Sequence, residues 1–276
     1  MNELVSVIIT TYNRGHILIN AIESVRTQSY KNIEIIVVDD CSNDTSYDIF
    51  NKYISVNNFN NIIYLKNKNN MGANYSRNRG INASKGEYIS FLDDDDEYYP
   101  TKIEEQLELI NKNNNVIVYC GSKIYNKGKL IKQSKLKYNG DIFDKIIEDN
   151  FLGNLSLLLI KRSILLKNNL DNDFPACQDW DLLTRLANKY EFYHTNSRLV
   201  KINKHEEESI GAGPKAIIGF KMYYNKHIKN YCFSKVLKLI ILYFLRAVVN
   251  KQLFQIKKIL FLLKAYFLNL MAVKLK

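Results

Sequence analysis

Several things are missing from this chain, and each absence removes a class of answer. Its four cysteines, Cys41, Cys120, Cys177 and Cys232, stand far apart and form no C-x-x-C pair. That spacing excludes a disulfide framework and a zinc cluster, and predicts thiols in a reducing compartment. No G-x-G-x-x-G is present, so a dinucleotide-binding enzyme would lack its phosphate loop. No stretch reaches about 18 uncharged apolar residues, which makes poor material for a membrane span. No internal repeat of about 20–50 residues is visible. The N-terminus lacks a basic segment, carries Glu3 and has only a brief apolar run, so it is expected to begin a domain and not to be a signal peptide. From Ser209 onward there is no Asp or Glu at all, against 13 Lys and Arg.

That last absence explains the charge. The net charge is +11, yet the first 208 residues hold 26 basic and 28 acidic residues and are close to neutral. The pI of 9.2 therefore belongs to the tail, which needs something negative nearby. On a helix, Lys235, Lys238 and Arg246 share one narrow sector, and Lys257, Lys258 and Lys264 repeat the arrangement among Leu, Ile, Val and Phe. Two such helices are expected to lie in an anionic membrane interface; the plainer alternative is that they pack on the front domain or on another subunit. Nucleic acid is not the expected partner, because the basic residues alternate with apolar ones and form no recognisable binding module. With 276 residues, 46% hydrophobic content and a mean hydropathy of −0.24, the chain is soluble and long enough for a large core.

The front of the chain alternates strand-like and helix-like runs. Residues 4–10 form a β-branched run, followed by helical spacing of Ile17, Ala21, Ile22 and Val25. A second buried strand over 33–38 stops at Asp39-Asp40, and Asp44 or Ser42 is placed to cap the next helix. A short strand over 62–65, a helix over 73–84 and a strand over 88–92 follow. Further strands are expected at 116–120 and 199–202, with a surface loop or hairpin over 123–139 and helices at 142–148 and after Gln178. Such alternation predicts an α/β fold, with a Rossmann-like, mostly parallel central sheet flanked by helices. Ligands of such sheets bind beyond the carboxyl ends of the strands, and three polar clusters fall there: residues 10–13, 39–44 and 93–96.

The third cluster is the most informative. A strand-like run ends in Asp93, Asp94, Asp95 and Asp96, and Pro100 then opens a helix through Ile103, Leu107 and Ile110. Four adjacent carboxylates repel one another, so placing them at a strand end calls for a cation. Oxygen ligands favour Mg²⁺ or Mn²⁺ over zinc. The alternative is a solvated acidic turn.

Taken in order, VSVIITTYNR, IIVVDDCSNDTS, MGANYSRNRGINASKGEYISFLDDDDEYYP and PACQDWDLLTRL resemble the family 2 glycosyltransferases of GT-A fold. The resemblance covers about residues 4–210. It implies inverting transfer of a sugar from a nucleotide-sugar, usually a UDP-sugar, to an acceptor hydroxyl, with Mn²⁺ or Mg²⁺ as cofactor. By position, Asp93-Asp94-Asp95 matches the family's DxD motif, with Asp95 as metal ligand and Asp93 and Asp94 supporting it. Asp94-Asp95-Asp96 is a second possible frame, and Glu97 is expected to be solvated. Thr10, Tyr12 and Asn13 fall on donor-binding positions, Asp40 on the acid that accepts from the uracil N3–H, and Arg77 on a residue approaching uracil or phosphate; Asp39 reads equally as a loop or capping residue. Asp179 of the Gln178-Asp179 pair matches the catalytic base, where the family has Glu-Asp. Trp180 and Gln178 are placed on the acceptor side, Trp180 with a core role as the alternative. His205 matches a loop histidine that contacts metal or diphosphate, and Gly211 and Gly213 are placed to hinge a closing loop.

The resulting expectation is a catalytic domain over residues 1–210, its nucleotide-sugar half over 1–105 and its acceptor half over 106–210, followed by a basic amphipathic helical tail over 211–276. The expected enzyme works peripherally at the cytoplasmic face of the cell membrane on a glycan or lipid-linked saccharide, as in bacterial O-antigen or capsule assembly. A nucleotidyltransferase would need a Gly-rich basic loop where the chain has TTYNRGH, and a haloacid-dehalogenase-like phosphatase would need its aspartates after the first strand. A non-catalytic membrane-associated scaffold with a transferase-like domain is the alternative, opposed by the presence of both Asp95 and Asp179.

Overall fold

The computed structural model describes residues 2–57, 61–113, 115–204, 214–228, 237–241, 256 and 259–263. In chain order its elements are β1 (Val5–Thr11), α1 (Gly15–Arg26), β2 (Ile33–Asp39), α2 (Ser46–Asn57), β3 (Ile62–Lys66), α3 (Ala73–Ala83), β4 (Tyr88–Asp93), β5 (Glu97–Tyr98), α4 (Lys102–Lys112), β6 (Ile117–Asn126), β7 (Lys129–Gln133), α5 (Phe143–Glu148), β8 (Leu158–Lys161), α6 (Arg162–Lys167), α7 (Gln178–Ala187), β9 (Phe192–Lys204) and α8 (Pro214–His227). The expected early strands and helices are all present within a residue or two of their sequence bounds.

One nine-stranded sheet runs β3-β2-β1-β4-β8-β6-β9-β5, with β7 beside β6. The first four strands are parallel, joined by helical crossovers. Beyond β4 the sheet is mixed: β8 is antiparallel to both neighbours, while β6 and β9 are parallel to each other. Strand β5, only two residues long, caps the far edge against β9. The 123–139 stretch is in part a hairpin, with β6 extended to Asn126 and β7 returning along it.

Alternation along β1 sends Val5, Val7 and Ile9 to one face and Ile8 to the other, and both faces are covered. On the first face Leu18, Ala21, Ile22 and Val25 of α1 meet Ile103, Leu107 and Ile110 of α4. On the second, Ile81 of α3, Ile146 of α5 and Leu182, Leu183 and Leu186 of α7 pack together. Strands buried on both sides read as continuous apolar runs, which is why they were legible.

Residues Phe220, Tyr223, Tyr224 and Ile228 of the tail belong to this second core, together with Leu239, Ile240, Ile259 and Leu262. Packing on the front domain, the plainer of the two expectations for the tail, is thus what these buried residues do, while Ile218, Leu237, Ile241, Ile256 and Leu260 stay exposed. Lys238 pairs with Glu148. Among the described residues no helix is long and apolar enough to cross a membrane.

Candidate active site

The sheet register sets the site. Thr10 stands opposite Val38 on one side and Asp93 on the other, so the ends of β1, β2 and β4 come to one level. The turns that leave them line a cavity of about 790 Å³, whose walls include Thr10, Tyr12, Asp40, Arg77, Asp93, Asp94 and Asp95. Seven of the residues expected at the donor site are therefore together. Asn13 is set apart: its Oδ1 accepts from Asn43 N at 2.8 Å, and it lines a neighbouring cavity of about 930 Å³.

The two aspartates after β2 have different duties. Asp39 is fully buried, accepting from Ser42 N at 2.8 Å, Ser42 Oγ at 2.5 Å and Tyr64 OH at 2.8 Å, so it shapes the loop. Ser42 is spent on that contact, and Asp44 bonds Ser46 N at the start of α2. Asp40 accepts from Asn67 Nδ2 at 2.7 Å, Met71 N at 2.9 Å and Gly72 N at 2.7 Å. It thereby ties down the loop before α3, where Gly72 adopts φ 86°, a conformation that favours glycine. A carboxylate has about four acceptor positions, so these three bonds leave Asp40 with about one more. The Tyr12 ring, 44% exposed, stands at the cavity wall.

Arg77 joins the two halves of the site. Its Nη2 donates to Asp93 Oδ1 at 2.8 Å, and its Nη1 lies 3.8 Å from Asp179 Oδ1. That Nη1 is buried without a hydrogen-bond partner. Burial opposes the guanidinium charge, but Asp93 and Asp179 together hold its pKa above the ordinary value. Asp179 is recessed at the start of α7, with 24% of its side chain exposed. Burial and, to a lesser degree, the Asp93 charge push it up to about 6, while Arg77 pulls the other way. A carboxylate titrating there is largely ionised at neutral pH yet basic enough to take a proton.

The acidic turn is closed by Asp96 N donating to Asp93 O at 3.0 Å. It sorts its four carboxylates. Asp93 pairs with Arg77. Asp94 Oδ1 and Asp95 Oδ2 both accept from Arg14 Nη1, at 3.2 and 3.0 Å. Burial raises Asp94 to about 6, with Arg14 opposing the rise. Asp96 points inward, where Asn154 Nδ2 at 2.8 Å and Ser156 Oγ at 3.2 Å donate to it. Burial first, then the Asp93 and Asp95 charges, lift its pKa well above the usual range. Of the two DxD frames, only residues 93–95 line the cavity in full.

Two expectations are corrected, those for Trp180 and Glu97. Trp180 is not on an acceptor surface: it is buried, its Nε1 donates to Ile146 O at 2.5 Å, and its ring stacks on Tyr223 with centroids 4.2 Å apart. Gln178 turns back to donate to Phe174 O at 3.0 Å, bracing the loop ahead of α7. Glu97 is not simply solvated, since Lys201 Nζ bonds it at 2.6 Å. His205, Gly211 and Gly213 lie outside the described residues.

The structure also adds residues. Asn203 Nδ2 donates to Asp95 O at 2.8 Å, and Lys204 and Lys215 reach the cavity wall. Nothing local in the sequence marks them. Arg14 was in plain view within TTYNR, but its partners lie 80 residues away. Asp181 accepts from His227 Nε2 at 2.8 Å and Arg185 Nε at 2.9 Å, with Lys226 Nζ at 2.9 Å. Burial opposes the Asp181 charge, yet these partners hold it down to about 2.

A divalent ion fits the donor chemistry of the site. Asp93, Asp94 and Asp95 offer hard oxygens on the cavity wall, but among the described residues no group of three carboxylates, imidazoles or thiolates forms a complete metal cage. Mg²⁺ and Mn²⁺ are commonly held by one or two carboxylates with substrate phosphates completing the shell.

Residues 6–172 match the sequence model of the family described as glycosyl transferase family 2. WcaA of Escherichia coli (strain K12), a glycosyl transferase named for colanic acid biosynthesis, is 33% identical over 240 residues, 82% of each chain. Other relatives are longer: the chain spans 30% of a Rickettsia bellii glycosyltransferase to which it is 33% identical over 224 residues. Residues 1–349 of S. aureus TarS, solved with UDP-GlcNAc, align over 87% of this chain and 66% of that one with a TM-score of 0.64 at 18% identity. The mannosyltransferase PcManGT of Pyrobaculum calidifontis, solved with GDP-Man and Mn²⁺, aligns over 84% and 66% with a TM-score of 0.63 at 14% identity. At those identities the likeness is one of fold. Sheet order, cavity and relatives define an enzyme of the GT-A glycosyltransferase class. Within that class the chain belongs to glycosyl transferase family 2.

Proposed function

We propose that the enzyme transfers a sugar from a nucleotide-sugar, a UDP-sugar, to a hydroxyl of a glycan or lipid-linked acceptor with inversion at the anomeric carbon. The observation that carries this reading is the Arg77 bridge, which sets Asp179 beside the carboxylates of the cavity. In the reaction, the acceptor oxygen attacks the anomeric carbon and its proton passes to an Asp179 carboxylate oxygen. The bond from that carbon to the diphosphate oxygen breaks on the opposite face, and the electron pair leaves with the diphosphate. Asp95, supported by Asp93 and Asp94, would hold the divalent ion, which when bound offsets the negative charge of the leaving group. Tyr12 offers its ring to the base, and Asp40 its remaining acceptor position to the uracil N3–H, a donor that cytosine lacks at that position. Neighbours of the same fold were solved with UDP-GlcNAc and with GDP-Man and Mn²⁺, which supports a nucleotide-sugar and a metal in general terms. The name of WcaA supports polysaccharide biosynthesis as the setting.

The tail supports a peripheral position at the cytoplasmic face of a membrane through its excess of Lys and Arg. A tail that serves only as packing for the second core is favoured by Leu239, Ile240, Ile259 and Leu262, and vesicle co-sedimentation with anionic lipid separates the two. The central test is binding and hydrolysis across UDP-, GDP- and dTDP-sugars, with and without Mn²⁺, for wild type and Asp95→Ala. Metal-dependent binding of one UDP-sugar, lost in Asp95→Ala, is the expected outcome. Folded wild-type protein that binds no nucleotide-sugar would refute the reading and favour the scaffold.

A further inference from the structure

The acidic turn does not stand unneutralised, and the way it is neutralised has a consequence for how the site loads. Asp93 has Arg77 at 2.8 Å, Asp94 and Asp95 share Arg14 Nη1, and Asp96 is turned into the core onto Asn154 and Ser156. The cation that four adjacent carboxylates call for is supplied by the chain itself. We propose that Arg14 is the resident counter-ion of the metal site: its guanidinium holds Asp94 and Asp95 until a divalent ion and a diphosphate arrive together and displace it. This rests on the proposed metal-dependent reaction.

Three observations set Arg14 apart from Arg77. Its nitrogen lies 3.0 Å from the Asp95 Oδ2 atom, so an ion coordinating that oxygen would meet a positive charge at close range. Its side chain is 39% exposed while that of Arg77 is 9% exposed, so Arg14 is the one that solvent and an arriving ion can reach. It lines both the cavity of about 790 Å³ and the neighbouring one of about 930 Å³, and can leave the carboxylates without entering the core. A divalent ion alone must evict Arg14 and gains only one or two carboxylates. A divalent ion arriving with a diphosphate gains phosphate oxygens as ligands, and the released guanidinium gains an anionic partner. The two ligands therefore favour each other's binding, and the coupling is reciprocal.

The test is a titration with Mn²⁺ alone, following the free ion by electron paramagnetic resonance, on wild type and Arg14→Gln, then repeated with saturating UDP. Removing the resident cation is expected to tighten nucleotide-free Mn²⁺ binding by roughly tenfold, and to shrink the enhancement that UDP gives wild type. Unchanged or weaker Mn²⁺ binding in folded Arg14→Gln overturns the proposal. If that variant does not fold, Arg14→Met serves, because an unbranched thioether keeps the bulk of the stem and removes the charge. Mn²⁺ binding tighter than wild type supports the proposal there too, and binding no tighter overturns it. Because the first titration contains no donor, its failure is distinct from failure of wild type to bind any nucleotide-sugar.

Discussion

With Asp179 as the proposed base, Arg77 is placed to set the pH at which the enzyme works. Its Nη1 lies 3.8 Å from Asp179, whose pKa is about 6, and its charge is what keeps that value from rising further. In Arg77→Met the charge disappears, while Asp93, freed of its partner, becomes an uncompensated neighbour that raises Asp179 as well. A pair of unit charges at this range, in an effective dielectric of about 20, interacts by about 4 kcal/mol, which bounds the shift at about three pH units. Part of that is offset by water entering the space left by the guanidinium, so the base is expected to titrate between about 7 and 8. The assay is kcat/KM against pH from about 5 to 9, which reports the free enzyme. Wild type should lose activity below pH 6 as Asp179 takes up its proton, and Arg77→Met should lose it one to two units higher, with Arg77→Lys in between. Weaker donor binding would lower the whole curve but would not move the limb. A limb that stays near 6 in a folded Arg77→Met protein would refute the assignment of Asp179 as the base that Arg77 tunes.

Two further predictions concern buried charge. Asp96 is turned into the core onto Asn154 and Ser156, and burial favours its neutral form. Asp96→Asn should therefore keep donor turnover within about threefold of wild type and raise stability at pH 7, while Asp95→Asn should abolish metal-dependent donor binding; a loss in Asp96→Asn equal to that in Asp95→Asn would contradict the sorting of the turn. Lys102 is fully buried, bonding Ser90 Oγ at 2.6 Å and Leu158 O at 3.3 Å, and burial lowers its pKa to about 7. The unfolded chain holds this proton up to a pKa of about 10.4, so wild-type stability should rise with pH between about 7 and 10. Lys102→Met removes that penalty, about 4 kcal/mol at pH 7.5 by linkage, and forfeits about 2 kcal/mol of hydrogen bonding. Urea denaturation should show it about 2 kcal/mol more stable than wild type at pH 7.5 and no more stable by pH 10; a difference independent of pH would show that Lys102 is charged in the fold.

How much of this could be read from sequence follows from how local each feature is. Strands β1, β2 and β4 were legible because both faces of each are buried and nearly all their residues before the strand end are apolar. The carboxylates of 93–95 were legible because a strand end and a cluster of acid coincide. The direction of Asp96 was not, since it depends on Asn154 and Ser156, brought in from beyond β6. Glu97 looked solvated for the same reason: its lysine is 104 residues away. Trp180 left two readings open because an aromatic near a helix start serves a core or a surface equally, and only the stacking partner Tyr223 decides. Strand β5 is too short for any periodicity to show. Helix α8 falls within the helical tail expected over 211–276, but its docking was hidden: the excess of lysine dominates that stretch, while the residues that dock it are aromatic and spread over a helical face.

The docking of α8 bears on how such enzymes diverge. A Cβ at Gly219 would come within 2.3 Å of the Ala176 carbonyl oxygen, so the helix backbone lies directly on the loop that leads into α7 and the proposed base. Tyr223 OH bonds Thr184 Oγ1 at 2.7 Å, and Lys226 and His227 hold Asp181, two residues beyond Asp179. All of this lies past residue 172, where the family match stops. A cut at residue 210, or a chimera joined there, would exchange the seat of the base along with the tail. Sequence drift in α8 is then a route to shifting the proposed base while the strand ends of β1, β2 and β4 stay unchanged, and a tail borrowed from a relative should be transplanted together with α7 or not at all.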